Sequence, residues 1–312
     1  MVRGALCAMV ALLATIAPPS AGAAVKGEER VLVVLVTAGT EPYPVAEVER
    51  TVTQAAAFIR TSSFGQVRLK VDVTPWLPAF TTTPGCGSGN GSLGTIFAPA
   101  RAAADQAGYD ATHYDDVVYT IADSHCAFFG TTIGKEVLLT RQPTVELLVH
   151  ELGHAFGLGH AESSPCVLDS LRCGTDETGD PFSPMGHGSL DFSAYEKFLL
   201  GWIPQQPRVT GAKRYVLWPP TVSSTVTRAL VVESAQGTWW IEYRTKPFRG
   251  LLLRFVDPTQ HASPFTPSAV LIESPSKHHR PWLRRGESYR LPFSYRVTLV
   301  RAGASRAEVR FR

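Results

Sequence analysis

Apolar and polar positions divide this chain into two textures. Val31–Val36 (VLVVLV) is an unbroken, largely β-branched run and reads as a buried strand. Val45–Arg60 carries apolar residues at helical spacing and stops before Ser62-Ser63-Phe64-Gly65. Gln66–Val73 alternates as a strand does, and Phe80–Gly94 is a loop rich in Thr, Gly and Ser. Thr95–Ala107 reads as a helix, Asp116–Ile121 as an apolar strand and Glu136–Leu139 as a short edge strand. Pro143–Phe156 predicts a helix with Pro143 in its first turn and Gly157 at its end. From Ile203 onward the helical period disappears. Trp239–Tyr243, Leu251–Val256, Ala269–Glu273, Tyr289–Leu291, Tyr295–Val300 and Ala307–Phe311 are short strand-like runs parted by turn residues. The pattern predicts an α+β protein: a mixed α and β domain over residues 24–205, followed by a small all-β, sandwich-like domain over 206–312.

Residues 1–23 stand apart. Arg3 precedes an apolar run from Ala5 to Ala17, then Pro18-Pro19 and Ala21-Gly22-Ala23, the arrangement of a secretory signal peptide. About 13 apolar residues fall short of the roughly 20 a membrane span needs, and no later stretch is longer. A secreted, extracellular protein is therefore expected. Removing the signal also removes Cys7 and leaves Cys86, Cys126, Cys166 and Cys173. An even set in an exported chain predicts two disulfides, and proximity favours Cys86–Cys126 and Cys166–Cys173. No C-x-x-C pair occurs, which argues against a cysteine zinc site.

The formal net charge of +3 is a cancellation. Residues 24–205 hold 11 Lys/Arg and 21 Asp/Glu, net −10, and residues 206–312 hold 18 and 6, net +12. A basic β module could bind anionic wall polymer, lipid headgroups or nucleic acid, and Lys277–Arg285 mixes bases with Trp282 as such surfaces do. The alternative is that the two oppositely charged halves dock on each other.

The chemistry is concentrated in His150–His160, H-E-L-G-H-A-F-G-L-G-H. One helical turn separates His150 from His154, so both imidazoles face one metal ion. Glu151 projects about 100° away, beside the open coordination position, where it can take a proton from water. Gly157 can adopt positive φ, ending the helix and returning His160 as third ligand. Three histidines leave a fourth tetrahedral place open, the mark of a catalytic and not a structural zinc.

HExxHxxGxxH is the signature of the metzincin zinc endopeptidases, and this chain resembles that family. The resemblance implies a twisted sheet, an active-site helix below a cleft, one catalytic zinc and a Met-turn methionine. The only methionine outside residues 1–23 is Met185, in Gly179–Gly186 (GDPFSPMG). Together with Phe198-Leu199-Leu200-Gly201-Trp202, Ser63-Phe64-Gly65 and Cys126, these motifs resemble the gametolysin-like peptidases and their bacterial relatives over residues 30–205. Two departures stand out. Only Ala24–Arg30 lies between the signal and the first strand, so latency is absent or imposed without a prosegment. Where some metzincins place a tyrosine two residues after the methionine, this chain has His187, a candidate hydrogen-bond donor to the oxyanion or else a surface histidine.

The expected activity is hydrolysis of protein or peptide substrates by a monomer, with Glu151 as general base. Two other classes stay open: a zinc amidase acting on cell-wall peptides, and a binding protein with structural zinc. Gly89–Gly94 matches GxGxxG but follows no strand, and reads as a loop tethered by Cys86. Asp169, Asp176, Glu177 and Asp180 form either a calcium site or a solvated acidic loop.

Overall fold

A computed structural model describes residues 24–86, 91–121, 124, 126–165, 174–257, 268–272, 280–292 and 295–312. The predicted signal peptide, Cys166, Cys173 and Asp169 lie outside the described residues.

The first layer is built around the VLVVLV run. Strand β1 (Gly27–Thr37) is followed by helix α1 (Val45–Ser62), β2 (Val67–Pro78), α2 (Gly91–Gln106), β3 (Asp116–Ile121), β4 (Gly130–Ile133) and β5 (Glu136–Leu139). The five strands form a mixed sheet in the order β2-β1-β3-β5-β4, parallel except for the β4–β5 pair. Alternation along β1 sorts its side chains. Val31, Val33 and Leu35 join the core under α1 and the helix at 145–155, while Leu32, Val34 and Val36 face α2. Both faces are therefore covered, which is why the run carries no polar residue.

Three expectations shift here. Glu136–Leu139 is an interior strand, because β4, unread in the sequence, takes the edge. Gly91–Gly94 form the first turn of α2 and not a loop, the helix continuing through Pro99. The histidine-bearing helix α3 (Val145–Ala155) begins after Thr144, whose hydroxyl accepts the Leu147 N–H at 3.2 Å, so Pro143 precedes the cap. The expected Cys86–Cys126 pair is present with Cα atoms 4.8 Å apart, tying the segment after β2 to the one before β4.

The second half comprises β6 (Ala161–Ser164), α4 (Ala194–Leu199), β7 (Arg214–Leu217), β8 (Ala229–Ser234), β9 (Gly237–Arg244), β10 (Gly250–Val256), β11 (Ala269–Ile272), β12 (Ser288–Arg290), β13 (Arg296–Ala302) and β14 (Ala307–Phe311). One sheet runs β6-β11-β10-β9-β8 and the other β12-β13-β14-β7. A core of Leu230, Trp239, Ile241, Leu253, Phe255, Val297, Leu299 and Phe311 fills the space between them. β6, β7, β8 and α4 are elements that periodicity alone did not reveal.

The change of texture near residue 205 is not a break in packing. β6, from the acidic half, pairs in parallel with β11 of the basic half. The far face of the same sheet presents Ala229, Val231, Trp240 and Val256 to the core that holds α1 and α3. Trp240 meets Tyr195 and Phe198 of α4 at ring-centroid distances of 5.2 and 5.3 Å. Every residue of β10 is consequently buried, as a strand in a middle layer must be. Among the described residues, no helix is long and apolar enough to cross a membrane.

Because this core spans both halves, Trp240→Ala is expected to cost about 3–5 kcal/mol. It should lower the stability of residues 24–205 and 206–312 together, in one transition. Urea unfolding followed by tryptophan fluorescence and far-ultraviolet circular dichroism checks this. Two separated transitions, with only the later part of the chain affected, would contradict it.

Candidate metal centre

Helix α3 delivers His150 and His154 one turn apart, and Gly157, at φ +96°, ends it. Gly157 N–H donates to the His154 carbonyl at 2.8 Å and Leu158 N–H to that of Gly153 at 2.9 Å, closing the last turn. The chain then doubles back and brings His160 to the other two. Ring centroids lie 4.7 Å apart for His150–His154 and His154–His160, and 5.3 Å for His150–His160.

The hydrogen bonds fix which nitrogen of each ring faces inward. His150 Nδ1 meets the Pro184 carbonyl, His154 Nδ1 the Leu158 carbonyl and His160 Nδ1 the Glu177 carboxylate, each at 2.8 Å. Those oxygens only accept, so every Nδ1 is the donor and every Nε2 is the ring nitrogen left to face inward. His150 Nε2 and His154 Nε2 face each other at 3.1 Å. One ligand atom from each of the three histidines lies within 4.8 Å of the others, the sole such group among the described residues. Lone pairs so close repel unless a cation sits among them. Burial, with the neighbouring imidazoles, pushes His150 down to about 4 and His154 to about 3, so protons do not fill that role near neutrality. The donor set fits a zinc ion held by three neutral imidazoles, each with its outer N–H hydrogen-bonded as metal-ligating histidines require.

Glu151 is buried beside the triad. Thr132 of β4 donates its hydroxyl to Glu151 Oε2 at 2.7 Å. Burial outweighs that bond and raises the carboxyl to about 7. Gly130, on the same strand, leaves the room: a Cβ there would lie 2.4 Å from Glu151 Oε1. Neither β4 residue was singled out in the sequence, because a four-residue GTTI segment carries no periodic signal.

Met185 is fully buried and its sulfur lies under α3, where a Cβ on Gly153 would come within 2.2 Å of it. That contact accounts for the glycine inside HELGH. His187 follows on the same loop, exposed, with Nε2 3.1 Å from the Thr178 hydroxyl. It lines a groove of about 380 Å3 together with His150, Glu151, Phe129, Arg141 and Leu147. Among the described residues, the acidic side chains downstream do not gather into a second metal-holding group. Asp180 is fully buried against Arg254 at 2.8 Å, Glu177 is engaged by His160, and Asp176 accepts the Thr178 N–H. Asp180 therefore holds the fold together and is not available as a calcium ligand.

No family model matches the chain, and no curated protein matches it. Among solved structures, a chain from "Structure of a chaperone-substrate complex" is 12% identical with a TM-score of 0.34. The match covers 55% of this chain and 29% of that one. A likeness of that size carries no argument.

The raised Glu151 carboxyl has a consequence for stability. Below pH 4.5 it is protonated folded or unfolded and contributes nothing. Between pH 4.5 and about 7 the unfolded chain releases the proton first, so the metal-free fold is penalised progressively. Above pH 7 the penalty is constant, on the order of 3 kcal/mol for this displacement. Metal-free Glu151→Gln should be more stable than the native sequence by that order at pH 8 and equal to it at pH 4. Thermal melts at both values check this, and a pH-independent difference would refute it.

Proposed function

We propose that this chain is a secreted zinc endopeptidase of the metzincin type, hydrolysing peptide bonds with Glu151 as general base. The observation that carries the reading is one ring nitrogen from each of three histidines converging beside a buried carboxyl in an open groove. His150, His154 and His160 would hold the ion. Zinc bound there supplies Lewis acidity to the scissile carbonyl and the attacking water.

The protein groups do the rest. Glu151, near pH 7 in its proton affinity, takes a proton from the attacking water and returns it to the leaving amine. Thr132 keeps the carboxylate turned toward the groove. His187, which lines the same groove, donates a hydrogen bond to the oxyanion. A binding protein with structural zinc accounts less well for the site, since a closed fourth ligand is missing among the described residues and a carboxyl of shifted affinity stands beside the groove. Export through residues 1–23 belongs to the same reading, supported by the Cys86–Cys126 pair.

The basic half offers a surface for an anionic wall polymer. On the outer face of the β12-β13-β14-β7 sheet, Arg290 stands opposite Arg296 and Arg310 opposite Arg214. Like charges directly opposite destabilise a sheet, and among the described residues the carboxylate of Glu308 pairs with Arg214. A phosphate-bearing polymer lying across the face relieves that repulsion.

The full chain without residues 1–23, loaded with zinc, should cleave a denatured protein substrate and lose that activity to a chelator. Glu151→Ala should abolish cleavage and keep zinc, and His187→Phe should lower kcat about 100-fold. Activity confined to cell-wall peptides would replace endopeptidase by amidase, and cleavage by Glu151→Ala would remove the general-base role. On immobilised wall polymer, the double variant R290Q/R296Q should elute at lower salt than the native sequence. Equal elution would dismiss the sheet face as the binding surface.

A further inference from the structure

We infer that Arg254, on the inner strand of the β6-β11-β10-β9-β8 sheet, is a positioning residue for the metal centre, so that the basic half completes the site and is not an accessory to it. The inference rests on the reading of the three histidines as a metal site. Strand β10 alternates, sending Leu251, Leu253 and Phe255 into the sandwich core and Arg254 toward the zinc-bearing half. A guanidinium 1% exposed has to be compensated. Its Nε donates to Asp180 Oδ2 at 2.8 Å, and its Nη1 lies 2.8 Å from Glu242 Oε1.

Asp180 is the root of the loop over residues 180–188. Its Oδ1 accepts the Phe182 N–H at 2.8 Å, its carbonyl accepts the His187 N–H at 3.1 Å, and its own N–H donates to the Ala161 carbonyl at 3.1 Å. Ser183 Oγ donates to Glu196 and accepts the Met185 N–H at 3.1 Å. Pro184, between them, presents the carbonyl that receives His150 Nδ1–H. The loop has no slack: a Cβ on Gly186 would lie 2.3 Å from the Asp180 carbonyl oxygen. A continuous series of contacts thus runs from Arg254 through Asp180 to Pro184, and from there to the ring orientation of His150. The same loop sets Met185 under α3 and His187 on the groove.

Glu242 is held independently of Arg254. Arg244 Nε donates to its Oε1 at 2.7 Å, and its other oxygen accepts the Ala194 N–H at 2.8 Å. Weakening Arg254 therefore falls chiefly on Asp180, whose buried charge would then be left without a cation.

The test uses the full chain without residues 1–23 and measures zinc affinity by chelator competition, the visible spectrum of the cobalt(II)-substituted protein, and thermal stability. Arg254→Lys keeps the charge but not the two-sided fork, and Asp180→Asn keeps the acceptor but not the charge. Both are expected to weaken zinc binding about 10- to 100-fold and to alter the cobalt spectrum. Trp240→Phe, on the same sheet face but away from the loop, should lower stability and leave zinc affinity and spectrum as they were. If Arg254→Lys does not fold, Asp180→Asn carries the test. Native zinc affinity and spectrum in the Arg254 and Asp180 variants would overturn the positioning role, as would an equal loss of affinity in Trp240→Phe. A native sequence that takes up no zinc would instead overturn the metal reading itself.

Discussion

Two imidazole nitrogens with their lone pairs facing each other at 3.1 Å are an electrostatic demand that the surrounding chain has to meet. Each ring is turned inward by an acceptor behind it: the Pro184 carbonyl, the Leu158 carbonyl and the Glu177 carboxylate. Those acceptors come from two different segments. Leu158 is placed by the glycine-terminated end of α3, Glu177 and Pro184 by the long connection between β6 and α4. Holding bare lone pairs together is unfavourable without a cation, so the arrangement makes physical sense as a metal centre that the fold keeps ready.

The means by which the fold holds it are mostly buried and polar. The β6-β11-β10-β9-β8 sheet lies between a conventional apolar sandwich core and a layer of charged residues, Glu242, Arg244 and Arg254, all at or below 4% exposure. Burial raises the affinity of an isolated carboxyl for its proton, yet Arg244 and Arg254 hold Glu242 down to about 2. Glu196, which accepts from the Ser183 hydroxyl and the Ser193 N–H, is pushed the other way by burial. Such a network contributes orientation more than net stability, because charge pairs in a dry interior recover little beyond their desolvation. It fixes the loop that carries Pro184, Met185 and His187. The glycines work in the same sense: Gly130, Gly153 and Gly186 each stand where a single methyl group would strike Glu151, Met185 or the Asp180 carbonyl.

Much of this was legible along the chain. The eleven residues from His150 to His160 named the three histidines and the carboxyl that the fold gathers, since helical spacing and one glycine suffice to bring them together. The strands at 116–121, 136–139 and 307–311 were readable to the residue, because long apolar or alternating runs are local signals. Cys86 and Cys126 were readable as a pair once Cys7 was set aside.

What escaped has a common cause. Thr132 and Gly130 act on Glu151 across 19 and 21 positions of sequence, from a strand too short to show a period. β6 belongs to a sheet whose other strands begin more than sixty residues later, so nothing local announced it. Arg254 and Asp180 looked like one basic module and one acidic loop, and their meeting 74 residues apart turned a suspected calcium ligand into a structural anchor. Ligand identity follows from spacing within one helix and its turn, where covalent geometry fixes the outcome. The orientation of those ligands depends on long-range pairing of buried charges and strands, which exists only once the two halves have packed into one core.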